Sequence, residues 1–265
     1  DVAGEVTVAT NGSSNVAQVA TNLDASTKYE YRLLQNDTNS EPEEFTTEDD
    51  IQLPNSGFED WYTDSDGLPK PAKDASSSFW DCGNVNYFGK HIMTTQNDET
   101  ALGQGSSVKM ETQETMKIIA AGNMGGILTL GRNFECRPNK LKGYYKYTSA
   151  KVSVSKGHLN EGEDDLCSLY IALTDEQITV NTNKGIYFDP NSSAVIAYGS
   201  ISDEESKGAD SFKEFTVDLE YKDLKRIPKY IIVVASSSKY GDYMEGGKGS
   251  TMWLDDLELV YPKSM

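Results

Sequence analysis

Apolar side chains recur at every second position through Phe215, Val217, Leu219 and Tyr221. That spacing gives a strand one buried face and one wet face, and a helical period does not fit it. Alternation also marks Val108, Met110 and Thr112, and segments from Leu141 to Val154, Val195 to Ile201 and Met252 to Tyr261 read as strands too. Ile127-Leu-Thr-Leu is a short apolar run after Gly125-Gly126. Leu169-Tyr-Ile-Ala-Leu and Tyr230-Ile-Ile-Val-Val-Ala are apolar on both faces, as in strands at the centre of a covered sheet. Loops rich in Gly, Asn, Asp and Ser separate these runs, and no amphipathic helix breaks the series. Eight or more strands at this spacing predict an all-β domain over residues 51–265, a β-sandwich or jelly roll. The 22 Gly and 15 Tyr suit such a domain, with many turns and large rings in its core.

Residues 1–50 read as shorter strands. Val6 and Val8 alternate with polar residues, Asn11-Gly-Ser-Ser-Asn is a turn cluster, and a second run reaches Thr21. Leu23-Asp-Ala-Ser-Thr27-Lys-Tyr29-Glu-Tyr31-Arg-Leu33 and the later Phe45-Thr-Thr resemble the second half of a fibronectin type III domain. In that family the Tyr is a corner residue whose hydroxyl bonds back to the upstream backbone. A whole domain of that type needs about 100 residues, so a partial fibronectin-like or immunoglobulin-like module is expected here. The acidic stretch 46–54, ending in Pro54, places the boundary near residue 50.

The formal charge is −18, and residues 1–50 hold 11 acids against 2 bases. So acidic a surface repels phosphates and anionic lipid, which argues against a nucleic-acid partner. No apolar run is long enough to span a membrane. Cys82, Cys136 and Cys167 are far apart, without the spacing of a zinc site or a disulfide scaffold, and read as free thiols.

Two stretches near the ends of the larger domain bear on each other. Leu53-Pro-Asn-Ser-Gly-Phe-Glu-Asp-Trp61 turns and then presents two acids, and Asp255-Asp256 interrupts the apolar closing run. An Asp pair inside an apolar strand needs compensation, and Ca²⁺ takes carboxylate and carbonyl oxygens. First and last strands commonly pair in jelly rolls, so Glu59 and Asp255 are expected to bracket a structural Ca²⁺.

Residues 51–265 resemble the Putative carbohydrate metabolism domain family of glycan-foraging bacteria. The resemblance is carried by Leu53–Trp61, Phe79-Trp80 with Gly83-Asn84, Ala121-Gly-Asn123, Arg137-Pro138, Leu141-Lys-Gly-Tyr-Tyr-Lys-Tyr147, Cys167, and Gly249-Ser250 with Leu254-Asp-Asp-Leu257. It implies a galactose-binding-like jelly roll in an extracytoplasmic, often lipid-anchored protein, the anchor lying upstream of this chain. An upstream immunoglobulin-like module fits that arrangement.

Sugar-binding modules stack aromatic rings on pyranose faces and bond the hydroxyls with polar side chains. Trp80, in a loop-like context, and Tyr145 with Tyr147, on one face of a strand, are the candidate platform. Periodicity does not say which face of that strand is buried. Catalysis is less well supported. Glycoside hydrolysis needs two carboxylates at a set separation, and 42 acids nominate no pair. Neither His91 nor His158 accompanies a nucleophile motif, and His158 reads as a residue of a polar surface loop. The expectation is a non-catalytic glycan-binding module, with a carbohydrate-processing enzyme or an adhesive surface protein as alternatives.

Overall fold

The structure, a computed structural model, describes residues 23–32, 34–35, 38–86, 89–114, 123–124, 127–128, 131–178, 180 and 184–261. The strands expected around Val6, Val8 and Thr21 lie outside them. In the N-terminal part, Lys28–Tyr31 pairs antiparallel with Glu43–Thr46, and Leu34–Gln35 pairs with Thr38–Asn39. The Tyr29 hydroxyl oxygen accepts from the amide of Asp24, five residues upstream.

The two sheets of the larger domain are built mainly from β1 (Ser107–Glu111), β2 (Ile127–Leu128), β3 (Lys140–Thr148), β4 (Ser168–Thr174), β5 (Val195–Ser200), β6 (Ala209–Asp218), β7 (Tyr230–Ser236) and β8 (Thr251–Val260). One sheet runs β1-β8-β3-β6 with Thr94–Asn97 on its β1 edge. The other runs β2-β7-β4-β5, extended by Asp81–Cys82 beside β2 and Glu220–Tyr221 beside β5. All pairings are antiparallel. Apart from the β4–β5 hairpin, the chain from β1 onward crosses between the sheets at each step and lays β8 beside β1, which is the jelly-roll winding. The domain is therefore the expected all-β jelly-roll sandwich.

Between the sheets, Leu141, Tyr145 and Tyr147 of β3 and Phe215 and Val217 of β6 meet Leu169, Ile171 and Leu173 of β4 and Ile231 and Val233 of β7. Burying side chains of this size contributes about 1.5–3 kcal/mol each. Cys136 and Cys167 are buried and Cys82 is half-buried, all three as free thiols. Burial pushes the Cys167 thiol up to about 12, so it stays protonated and inert.

The face at Phe215, Val217, Leu219 and Tyr221 is split where a single strand was expected. The chain leaves the first sheet after Asp218, and Glu220–Tyr221 pairs with β5 in the second. Alternation survives the crossing because both halves face the same core. Gly199 permits it: a Cβ there would lie 2.2 Å from the Asp218 carbonyl oxygen.

In β8, Asp256 has φ +46° and the register against β3 shifts between Lys142 and Tyr144. This β-bulge returns Leu257 to the core after Asp255. Leu257 Cδ2 then fills the space where a Cβ on Gly143 would sit, 2.7 Å away.

Residues 51–61 form no strand, contrary to the expectation of a first strand there. Asn55 and Phe58 have φ +48° and +56°, so the segment turns twice. Side-chain bonds tie it to β8 instead. Gln52 Nε2 donates to the Leu259 carbonyl at 2.8 Å and its Oε1 accepts from the Leu259 amide at 2.8 Å. The Leu257 amide donates to the Ser56 carbonyl at 3.0 Å.

Candidate functional site

The three aromatics expected on a sugar platform belong to the core, which corrects that reading. Trp80 is 1% exposed, donates from Nε1 to the Pro54 carbonyl at 2.8 Å, and packs between Phe58 and Phe79. Its role is to pin the 53–58 turn. Tyr145 and Tyr147 are 0% and 2% exposed. Their face of β3 looks into the sandwich, and Tyr145 donates its hydroxyl to the Glu205 carbonyl at 3.0 Å. None of the three has a ring face open to a ligand.

The partly exposed rings gather elsewhere, along the outer side of the second sheet and the loops at its end. Phe188 stacks on Tyr170 of β4 with centroids 5.0 Å apart and on Tyr198 of β5 at 6.1 Å. Ala172, Ile232 and Val234 lie beneath them as a small second core. Tyr187, the residue preceding Phe188, stacks on Tyr243 at 4.0 Å. Tyr243 meets the His158 ring at 4.4 Å, and His158 stacks on Tyr240 at 4.4 Å and 15°. Seven rings from five separate segments thus make a ribbon of two stacked groups, Tyr170–Phe188–Tyr198 and Tyr187–Tyr243–His158–Tyr240, joined along the chain at Tyr187 and Phe188.

Local chemistry fixes the ribbon in place. The loop after β7 tightens into the 3₁₀ turn Gly241–Tyr243 and closes with Met244 at φ +56°. That turn puts Tyr240 and Tyr243 on one side. Glu245 follows, its side chain fully buried. It accepts from the amides of His158 at 3.2 Å and Leu159 at 2.5 Å, and its Oε2 lies 2.9 Å from His158 Nδ1. Burial works to raise the Glu245 carboxyl, but the Leu159 amide and the His158 contacts outweigh it and hold it below the usual range. Asp165 anchors the far side of the same loop, accepting from Ser238 Oγ at 2.6 Å, the Gly247 amide at 2.7 Å and Ser250 Oγ at 2.8 Å.

Between Tyr240 and Tyr243 stands Asp242, exposed at the rim. Protein atoms packed around its carboxyl push its pKa up by desolvation. The same carboxylate acts on Tyr170, whose phenol is raised first by burial and then by its charge, and on Tyr243, raised by burial, then by Tyr187 and then by Asp242. Among the described residues no Lys or Arg pairs with Asp242. The ribbon therefore offers apolar ring surface with one exposed carboxylate, Asp242, in the turn that carries Tyr243, and Glu245 is already engaged as a structural acceptor. His158 was read from the sequence as a loop residue, and the structure makes it the link between Tyr240 and Tyr243.

Glu59 and Asp255 both bond the loop at 98–106. Asp255 Oδ2 accepts from the Ala101 amide at 2.9 Å and Oδ1 from its neighbour Asp256 at 2.9 Å. Glu59 accepts from the Ser106 amide at 3.1 Å and from Ser106 Oγ at 3.3 Å. Asp255 is 2% exposed. Burial, and then the charges of Asp256 and Glu59, push its carboxyl up to about 6. Among the described residues no cationic side chain pairs with Glu59, Asp255 or Asp256. Hard oxygen donors gathered without a counter-charge suit Ca²⁺. Among the same residues no three His, Cys, Asp or Glu side chains form a metal-holding group, so carbonyl oxygens or water would have to complete any shell.

Other surfaces offer less. Trp253, on the outer face of the first sheet, is overlaid by Lys146 and Lys109, with Lys146 Nζ 4.5 Å from its ring centroid. A concavity of about 350 Å³ beside Tyr147, Ser149 and Lys207 offers no second ring.

With this geometry established, three comparisons bear on identity. The family model that matches residues 48–260 is described as Putative carbohydrate metabolism domain. A crystal structure of a putative glycoside hydrolase from Bacteroides thetaiotaomicron VPI-5482 superposes with a TM-score of 0.62 at 20% identity, covering 83% of this chain and 75% of that one. A crystal structure of a putative glycoside hydrolase from Bacteroides vulgatus ATCC 8482 gives 0.54 at 19% identity, covering 80% and 95%. At such identities they show a shared fold. Among curated proteins none matches.

Proposed function

The chain belongs to the Putative carbohydrate metabolism domain family, and from that premise we propose that it is an extracytoplasmic, non-catalytic glycan-binding module whose ligand lies along the aromatic ribbon. The single observation that carries this is the ring series Tyr240–His158–Tyr243–Tyr187, open to solvent in part, with the exposed Asp242 in the same turn as Tyr243. Partly exposed ring surface suits the apolar faces of sugar rings, and a carboxylate suits their hydroxyls. The names of the two superposed structures raise a hydrolytic reading for this chain. Glycoside hydrolysis requires two available carboxylates about 5–10 Å apart. In the ribbon Asp242 is available, whereas Glu245 is consumed by backbone amides and His158, which favours binding over hydrolysis.

A structural Ca²⁺ held by Glu59 and Asp255 is part of the same proposal. It would neutralise the buried Asp255 and stiffen the 98–106 loop, away from the ribbon. Attachment to a cell surface through an upstream lipid anchor belongs with the extracytoplasmic reading.

The test is a glycan-array and affinity-gel screen of the wild type, Tyr187→Ala and Tyr243→Ala. Each ring is worth about 0.5–1.5 kcal/mol, so each variant should bind roughly 3–10-fold more weakly with its melting temperature nearly unchanged. Binding that neither substitution weakens would sink the assignment of the site. Absence of binding to plant, host and microbial glycans alike would sink the function.

A further inference from the structure

Between Tyr240 and Tyr243 stands an imidazole whose two nitrogens are not equivalent. The Glu245 side chain has no exposed surface, and both its oxygens accept from the His158 amide at 3.2 Å. Oε1 also accepts from the Leu159 amide. A carboxylate engaged in this way is an acceptor, so the proton in its 2.9 Å contact with the ring sits on His158 Nδ1. The bond made by one ring nitrogen decides what the other can do. In the neutral ring Nε2 then carries a lone pair and no hydrogen. The two nitrogens point apart across the ring. With Nδ1 turned to a buried partner, Nε2 lies on the open side of a side chain that is 34% exposed. Tyr240 stacks on the same ring at 4.4 Å and 15°, and Tyr243 meets it at 4.4 Å and 51°. Held at its root by Glu245 and flanked by two rings, the imidazole presents that lone pair in a set direction.

Resting on the glycan-binding reading, we propose that His158 Nε2 accepts a hydrogen bond from a free hydroxyl of the bound sugar, so that the ribbon takes glycans with unsubstituted hydroxyls and discriminates against O-acylated ones. A lone pair needs a donor. A sugar hydroxyl supplies one, whereas an ester oxygen in the same place supplies none and sets acceptor against acceptor. Sites that hydrogen-bond a ligand hydroxyl reject analogues lacking it, because their own polar group is left unpaired. Here the group is partly exposed and water meets some of that loss. The discrimination is therefore that of about one ordinary hydrogen bond, roughly fivefold. Glu245 acts through His158 as the positioning residue, since it holds the proton on Nδ1 and so keeps Nε2 bare. On an acylated polymer, hydrolysis of the esters has to come before capture by this chain.

The test compares matched probes. Affinity gels carry galactomannan, xyloglucan, arabinoxylan or starch, each unmodified and partly acetylated, at about pH 8, above the ordinary imidazole range. Four chains are run: the wild type, Tyr243→Ala, His158→Asn, and a chain with Nε2-methylhistidine at position 158. Methylation covers the lone pair and leaves the ring and the Nδ1 proton in place. Asn keeps a donor for Glu245 and has no counterpart to Nε2. The wild type should be retained by at least one unmodified polymer about fivefold more strongly than by its acetylated form. Both changes at 158 should bring that ratio close to one, and the methylated chain should melt as the wild type does. Tyr243→Ala should weaken both forms together and leave the ratio as it was. Nitrogen-15 NMR of the ligand-free chain, which has two His, should show His158 Nδ1 protonated and Nε2 bare. A bare Nδ1 would overturn the proposal without any glycan present. Equal wild-type retention of both forms, lost in Tyr243→Ala, would overturn the hydroxyl selection and keep the glycan site. An unchanged ratio in the methylated chain would remove His158 from that selection. If no polymer is retained in a Tyr243-dependent way, the glycan-binding reading itself fails and takes the selection with it.

Discussion

At Glu245 a carboxylate with no solvent contact holds a surface loop in place. Three contacts, the amides of His158 and Leu159 and the His158 ring, converge on it. Taking away a buried acceptor strands its donors, at about 1–3 kcal/mol for each group left unsatisfied. Glu245→Ala should therefore cost about 3 kcal/mol in chemical denaturation. It should also weaken glycan binding more than Tyr240→Ala does, because His158 would no longer be oriented between two rings. Glu245→Gln, which keeps the shape, should recover part of the stability. An alanine variant as stable as wild type would show that water replaces the carboxylate and that the ribbon is not held this way. His158 thus serves as a clamped spacer, a role invisible in Lys156-Gly-His-Leu-Asn because its partner lies 87 residues away.

Two elements depend on close backbone approaches. The crossing from β6 into the second sheet passes over Gly199 with the Asp218 carbonyl oxygen 2.2 Å from where a Cβ would be. Backbone cannot swing aside as a side-chain end can, so Gly199→Ala should lose stability at the upper end of about 1–3 kcal/mol, read as a lower denaturation midpoint with unchanged slope. At the other edge, the bulge at Asp255 and Asp256 turns two acids toward Glu59 and the 98–106 loop. If Ca²⁺ occupies that junction, saturating calcium at about 100 times its Kd adds about 2.7 kcal/mol. For a domain of this size that is a rise of roughly 5–10 °C in Tm. The rise should vanish in Asp255→Asn and on chelation, and glycan binding should survive chelation. A calcium-independent Tm would remove the ion from the account of this bulge.

Over the whole molecule, the boundary near residue 50 can be tested by cutting. Gln52 bonds Leu259 in both directions, and Tyr261 donates its hydroxyl to the Ile51 carbonyl at 2.6 Å, so the sandwich needs the chain from about residue 51. Across the junction, Arg137 pairs with Glu48. A pair this exposed contributes about 0–1 kcal/mol. A chain of residues 48–265 should fold alone, melt within about 3 °C of the full chain and bind the same glycans. A collapse in Tm of ten degrees or more would mean that the N-terminal strands are part of one cooperative unit.

The alternation at Phe215, Val217 and Leu219 and the doubly apolar run at Tyr230 were enough to specify strands, and the turn clusters between them were enough to specify an all-β domain. The two sheets that share one core were also legible, because such a property depends on local period summed over the chain. Which face of a strand is buried was not legible: period 2 defines two faces without labelling them, so Tyr145 and Tyr147 looked as fit for a ligand as Tyr144. Trp80 misled for a related reason, since a loop-like neighbourhood says nothing about what folds over it. The ribbon lay beyond any reading along the chain. Its rings come from positions 158, 170, 187–188, 198 and 240–243, and only the return of β7 beside β4 and the Glu245 clamp bring them within stacking distance. Local pattern settles what a segment becomes, whereas a site assembled from distant segments exists only once the packing of the sheets has set their separation.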